Sequence, residues 1–94
     1  MRGLEGRNAI VTGSASGIGK AIAIRLAEEG CNVGVFDVNM EGAASTADAI
    51  AESGGTAKAI AVDITDLAGV QAGVGEFESA IGPTDILVNN AGWD

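Results

Sequence analysis

The chain alternates short apolar runs with longer segments in which apolar residues recur at helical spacing. Four runs predict strands: "NAIVT" (8–12) and "CNVGVFD" (31–37), which are continuous enough to be buried on both faces, then "AKAIAVD" (57–63) and "DILVN" (85–89). The helical stripes between them are Ile18, Ala21, Ile22 and Leu26; Ala43, Ala47, Ile50 and Ala51; and Leu67, Val70, Val74, Phe77 and Ile81. This order, β-α-β-α-β-α-β, predicts a doubly wound parallel α/β sheet.

The third predicted helix contains three glycines, at positions 69, 73 and 75. Each glycine inside a helix costs about 1 kcal/mol relative to alanine. These three glycines are explained only if neighbouring segments approach the helix too closely for a larger side chain.

Composition limits the classes of partner. The 94 residues show no internal repeat or linker and fit one domain, whose core must come from Ala, Ile, Val and Leu because aromatic residues make up only 3%. A net charge of −8, with five scattered basic residues, argues against nucleic acid and anionic membranes as partners. The chain has a single cysteine, and none of its apolar runs approaches the roughly 18 residues that a membrane helix needs. We therefore expect a cytoplasmic protein. We predict no metal site.

The stretch "TGSASGIGK" (12–20) lies where the first strand turns into the first helix. A helix N-terminus leaves backbone N–H groups unpaired and carries partial positive charge, so it attracts phosphate. Glycines allow the backbone to approach a pyrophosphate closely. Taken by itself, the loop is also compatible with a plain glycine-rich turn.

Two phosphate-binding interpretations compete for this loop. A nucleotide triphosphatase needs G-x-x-x-x-G-K followed by Ser or Thr, but here Lys20 is followed by Ala21 and Ser14 occupies the first glycine position. A dinucleotide site needs an acidic residue about 20 positions on, at the end of the second strand. Asp37 is 18 residues after Gly19 and meets that requirement. The sequence therefore predicts a Rossmann-type dinucleotide site.

Asp37 also predicts which dinucleotide binds. A carboxylate can accept hydrogen bonds from free ribose hydroxyls but repels a 2′-phosphate, and NADP sites place a cation nearby to reverse that field. Neither 14–16 nor 38–39 supplies a cation. We expect NAD as the cofactor.

Three motifs along the chain resemble those of one protein family. "TGSASGIG" (12–19) matches the Thr-Gly-x-x-x-Gly-x-Gly pattern of short-chain dehydrogenases/reductases, "VDIT" (62–65) matches the segment after their third strand, and "ILVNNAG" (86–92) matches their fourth-strand motif. With Asp37 these motifs span nearly the whole chain. The chain is thus similar to the N-terminal, cofactor-binding part of that family.

The resemblance implies a set of cofactor contacts. The glycine loop would bind the pyrophosphate, the end of the second strand the adenosine ribose, the segment after the third strand the adenine, and the segment after the fourth strand the nicotinamide-side ribose. The implied residues are Gly13, Ser16, Gly17, Ile18, Gly19, Asp37, Asp63, Ile64, Asn90, Ala91 and Gly92. Two alternatives stay open: Asp63 could cap the following helix, as Asp66 could, and Asn89 could serve only to bridge neighbouring strands.

The implied reaction is hydride transfer between nicotinamide and a secondary alcohol or ketone. The ending "NNAGWD" (89–94) is similar to that of 2-hydroxycyclohexanecarboxyl-CoA dehydrogenases, which adds an acyl-CoA as a candidate substrate. The family uses a Tyr, a Lys and a Ser as its catalytic residues, and this chain has no Tyr. We therefore assign no catalytic residue and expect 1–94 to be the dinucleotide-binding portion of one Rossmann domain, incomplete at its C-terminus, from an enzyme that forms homo-oligomers. The alternatives are a non-catalytic NAD- or adenine-nucleotide-binding module and an interaction fragment with a vestigial loop.

Overall fold

The structure is a computed structural model that describes residues 2–90. A short 3₁₀ helix at Arg2–Leu4 precedes the first strand. The strands are β1 (Asn8–Thr12), β2 (Asn32–Asp37), β3 (Thr56–Ala61) and β4 (Ile86–Asn89). The helices are α1 (Gly17–Glu28), α2 (Met40–Glu52) and α3 (Leu67–Ala80).

The four strands form one parallel sheet in the order β3-β2-β1-β4. Helices α1 and α2 pack with the apolar side chains of one sheet face, which include Val11, Val33 and Val35. The other face contributes Ile10 and Phe36 to a second cluster with α3. Because helices cover both faces, the predicted doubly wound α/β fold is confirmed.

The sheet register brings the carboxyl ends of the strands to one edge. Thr12 is paired with Phe36 on β2 and with Asn89 on β4, and Asp37 is paired with Ala61 on β3. The chain passes from β1 to β2 and β3 on one side, and the connection from β3 then returns to place β4 on the other side of β1, so a crevice opens above this edge at the switch in strand order. The candidate residues of the site follow these strand ends.

The structure corrects the predicted end of the third strand. The sequence predicts that this strand continues to Asp63, whereas β3 ends at Ala61. Asp63 and Ile64 therefore lie in the loop between β3 and α3, where their side chains do not have to alternate across the sheet.

Several residues assigned to the buried helical stripes are exposed. They are Ile18, Ala21, Ala51 and Leu67, although each lies in the helix that its stripe predicts. Ile18 is 74% exposed because the face of α1 that meets the sheet is centred on Gly19 and Ala23, and successive helical residues point about 100° apart. The buried face of α3 likewise lies further along the helix, at Gly73 and Phe77.

The glycines of α3 have different surroundings. A Cβ on Gly73 would lie 2.7 Å from Cγ2 of Val62, so this glycine allows the close approach that the sequence required. A Cβ on Gly75 would meet nothing within 4 Å. Close packing thus explains Gly73 and does not explain Gly75.

Candidate functional site

The glycine loop between β1 and α1 uses its glycines for two purposes. Gly13 and Gly17 have positive φ angles, 66° and 61°, which glycine adopts without the clash of a Cβ. Gly19 is needed for space, since a Cβ there would overlap the carbonyl oxygen of Gly13 and lie 2.7 Å from Nδ2 of Asn90. The loop therefore turns sharply and holds α1 tightly against the end of β1.

The N-terminus of α1 opens toward the crevice. Ser16 is the N-cap residue in extended conformation, and its side chain forms no capping hydrogen bond. The first turn contains no acidic residue, so no carboxylate there offsets the positive end of the helix dipole. Backbone N–H groups of a first turn have no intrahelical partner, so this end of α1 can receive an anion.

The Asp37 carboxylate is held by backbone at the end of β2. Its Oδ2 accepts a hydrogen bond from the backbone N–H of Ala15 at 3.0 Å, and its Oδ1 accepts one from the backbone N–H of Asn39 at 3.0 Å. Asn39 in turn caps α2 by accepting from the backbone N–H of Gly42 at 3.1 Å. Both carboxylate oxygens are thus oriented, and each retains lone-pair capacity for a further donor.

A pocket of about 80 Å³ lies beside this carboxylate. Its lining residues are Gly13, Phe36, Asp37, Val38, Val62, Asp63 and Ile64. The pocket brings together residues from the ends of β1, β2 and β3, and it combines apolar walls with two carboxylates. Such a pocket can accept a ligand with a flat, largely apolar ring. Hydrogen-bond donors on that ligand would face the two carboxylates.

Asp63 forms a local turn in the loop before α3. Its Oδ1 accepts from the hydroxyl of Thr65 at 2.7 Å and from the backbone N–H of Thr65 at 2.9 Å. These two donors, the hydroxyl first, lower the pKa of the Asp63 carboxyl. The N-cap residue of α3 is Asp66, so the alternative that Asp63 caps this helix is wrong.

Asn89, the last residue of β4, and Asn90, which follows it, have different contacts. Oδ1 of Asn89 accepts from the Thr12 hydroxyl at 3.0 Å, which links β4 to β1 and agrees with a strand-bridging role. Asn90 donates through Nδ2 to the carbonyl oxygen of Gly13 at 3.3 Å, so its side chain reaches the glycine loop. Ala91 and Gly92, the last two predicted site residues, lie outside the described residues, as do Trp93 and Asp94.

Sequence reasoning missed two buried hydroxyls behind the loop. The Ser14 hydroxyl donates to the carbonyl oxygen of Val11 at 2.7 Å, and Ser14 is fully buried. Thr46, in α2, is also fully buried and donates to the carbonyl oxygen of Ser14 at 3.0 Å. Thr46 lies three residues after Ala43 and four before Ile50, so the helical stripe itself could have identified it as an inward-facing polar residue.

The described part of the chain holds neither a metal-binding cluster nor a membrane-spanning helix. Among residues 2–90, no three His, Cys, Asp or Glu side chains are grouped so that they could hold a metal ion. No helix in that same range has the length and apolar character needed to cross a membrane.

Comparisons with known proteins agree with this geometry. A sorbitol dehydrogenase from Cereibacter sphaeroides is 48% identical over 88 residues, which are 94% of this chain and 33% of that protein. The crystal structure of a hydroxysteroid dehydrogenase from Escherichia coli is 44% identical with a TM-score of 0.92, and the match covers 96% of this chain and 38% of that one. A Haemophilus influenza protein, named as a D-mannonate oxidoreductase and holding bound NAD, is 33% identical with a TM-score of 0.92, over 97% of this chain and 32% of that one.

The chain spans about a third of the length of the curated relatives that it matches. The family model described as "short chain dehydrogenase" matches residues 7–94, which is nearly the whole chain. The glycine loop, the carboxylate that follows β2 and the parallel sheet all fall within that match. The chain belongs to the short-chain dehydrogenase/reductase family.

Proposed function

We propose that this chain supplies the cofactor site of an NAD-dependent oxidoreductase of the short-chain type. The observation that carries the proposal is the hydrogen bond from Ala15 N–H to the Asp37 carboxylate. It joins the loop that can receive a pyrophosphate to the group that can accept ribose hydroxyls. The two halves of an adenosine diphosphate site are thereby fixed relative to each other.

The residues present fit an adenosine diphosphate group. The α1 N-terminus and the two glycines of positive φ, Gly13 and Gly17, offer backbone to the pyrophosphate. Asp37 offers oriented oxygens to the ribose, and the pocket walls at Val38 and Ile64 offer apolar surface to the adenine. The proposed cofactor residues remain Gly13, Ser16, Gly17, Ile18, Gly19, Asp37, Asp63, Ile64, Asn90, Ala91 and Gly92.

We propose NAD rather than NADP because of the charge beside the ribose site. Asp37 would face a 2′-phosphate as a like charge, and the nearby segments 14–16 and 38–39 contain no Lys or Arg. Bound nicotinamide supplies a hydride acceptor or donor. The chain's own residues bind and orient that group, and with no Tyr or His among its 94 residues we assign none of them to proton transfer.

The proposed substrate is a small secondary alcohol or ketone, with an acyl-CoA retained as one candidate. The relatives named for sorbitol and for hydroxysteroids are 48% and 44% identical to this chain, so this part of the sequence is compatible with very different named substrates. Substrate choice is therefore expected to depend on other residues. A homo-oligomeric, cytoplasmic enzyme completes the proposal.

A non-catalytic nucleotide-binding module is the second candidate. It is compatible with the described residues, because the cofactor contacts proposed above do not require a proton-transfer group. The two candidates share the cofactor site and differ only in turnover. Oxidation of secondary alcohols by the complete gene product in the presence of NAD would support the enzyme, and binding without any turnover across a panel of alcohols would support the module.

The cofactor site itself is tested by titration. The complete gene product is titrated with NADH and separately with NADPH, and binding is followed by nicotinamide fluorescence. We expect saturable binding of NADH and weaker binding of NADPH. Equal or tighter binding of NADPH would refute the role given to Asp37, and no binding of either would refute the cofactor site.

A further inference from the structure

Thr46 is a polar residue in an unusual place. It lies in the middle of α2 and is fully buried, yet it makes no contact that the cofactor site requires directly. A helical threonine often returns its hydroxyl to a carbonyl one turn earlier in its own helix. Here the hydroxyl leaves the helix and reaches the glycine loop, 3.0 Å from the carbonyl oxygen of Ser14 and 3.5 Å from that of Ala15.

The close approach of α2 to the loop makes this contact possible. Gly42 lies one turn before Thr46, and a Cβ on Gly42 would be 2.8 Å from the Cβ of Ala15. A larger residue at 42 would push the helix away from the loop. The hydroxyl has a single proton, so the shorter contact, to Ser14, is the principal hydrogen bond.

The Ser14 carbonyl and the Ala15 N–H belong to the same peptide unit. The described residues contain no cis peptide bond, and in a trans peptide the C=O and N–H point in opposite directions. Thr46 therefore holds one side of this peptide while the Asp37 carboxylate, 3.0 Å from Ala15 N, accepts from the other. Hydrogen bonds in such a chain strengthen one another.

We propose that Thr46 is a positioning residue for the adenosine ribose, acting through the Ser14–Ala15 peptide on the carboxylate of Asp37. This inference rests on the proposed function. Without the hydroxyl, the peptide loses the partner that fixes its orientation, and Asp37 loses a rigid donor. The ribose then has to order this carboxylate on binding, which weakens the affinity for NADH.

The test separates the hydroxyl of Thr46 from its methyl group. Thr46→Val keeps the shape and removes the hydroxyl, whereas Thr46→Ser keeps the hydroxyl and removes the methyl. In fluorescence titrations of the complete gene product, we expect T46V to bind NADH about tenfold more weakly, a factor worth about 1.4 kcal/mol. We expect T46S to bind NADH within about twofold of the unsubstituted protein, even if its melting temperature falls.

A double-mutant cycle tests whether Thr46 acts through Asp37. If it does, T46V adds less than about twofold to the loss already caused by Asp37→Ala, because the group it positions is gone. Additive losses would overturn the inference, as would unchanged NADH binding in T46V with only a lower melting temperature. If T46V does not fold, T46S decides: a loss of NADH affinity of more than about twofold overturns the role given to Thr46 and leaves the proposed function standing, whereas affinity retained within about twofold supports that role. Absence of NADH binding by the unsubstituted protein would refute the proposed function and, with it, this inference.

Discussion

Replacing Asp37 by Asn should shift the cofactor preference that we propose from NADH toward NADPH. In the structure, each carboxylate oxygen accepts one backbone N–H at 3.0 Å, from Ala15 and from Asn39. An asparagine offers only one acceptor, so one of these N–H groups would face an NH₂ group instead. Hydrogen bonds to a charged group contribute about 1.5–3 kcal/mol, and the ribose hydroxyls would also lose the charge. We expect NADH affinity to fall about tenfold.

The same substitution should improve the binding of NADPH. Two unit charges about 5 Å apart at an effective dielectric constant of about 20 repel each other by about 3 kcal/mol. Asp37 is only half-buried, so screening by solvent reduces this repulsion to about 1–2 kcal/mol. Its removal should strengthen NADPH binding about tenfold, and the ratio of the two affinities should change about a hundredfold.

The assay is a parallel fluorescence titration of both cofactors at one ionic strength, with circular dichroism to show that the variant is folded. Asp48→Asn is the matched control. Asp48 is an exposed carboxylate on α2 that does not line the site pocket, so this substitution removes the same charge away from the site. D48N should leave both affinities unchanged. An unchanged NADH-to-NADPH ratio in D37N, or the same change in D48N, would refute the argument from Asp37.

Three further predictions follow from packing and from hydrogen bonding. Gly75→Ala should stabilise the protein by about 1 kcal/mol, since the added Cβ meets open space, whereas Gly73→Ala should destabilise it; thermal denaturation that ranks them the other way would contradict this packing. Cys31 is 2% exposed, and burial raises the pKa of its thiol, so iodoacetamide should modify its peptide slowly in the native protein and readily in guanidinium, as followed by mass spectrometry. Thr65→Val should raise the pKa of Asp63 toward its ordinary value, which an NMR titration measures directly. Because the pKa of Asp63 is lowered in the folded state, its hydrogen bonds with Thr65 stabilise the fold at pH values above the ordinary carboxyl pKa. That stabilisation is lost as the pH falls through the lowered pKa. An unchanged Asp63 pKa in the variant would contradict the assigned cause.

The sheet and its crevice could be predicted because their determinants are local. Continuous apolar runs predict buried strands, and the helical stripes between them predict crossovers that force parallel pairing. The glycine loop and Asp37 are predictable as site candidates from spacing alone, since a turn at a helix N-terminus and a carboxylate at the end of the next strand are both short-range features.

The sequence by itself determined the order of the elements, the turn that exposes the end of α1, and the acidic residue beside it. Only the tertiary structure decided which side of each helix meets the sheet, which left Ile18 and Leu67 exposed, and which partners the buried polar groups find. Thr46 and Ser14 are 32 residues apart, and their hydrogen bond exists only because α2 packs against the loop. Burial and hydrogen bonding of this kind depend on distances between segments remote in the chain, and periodicity along one segment does not contain those distances.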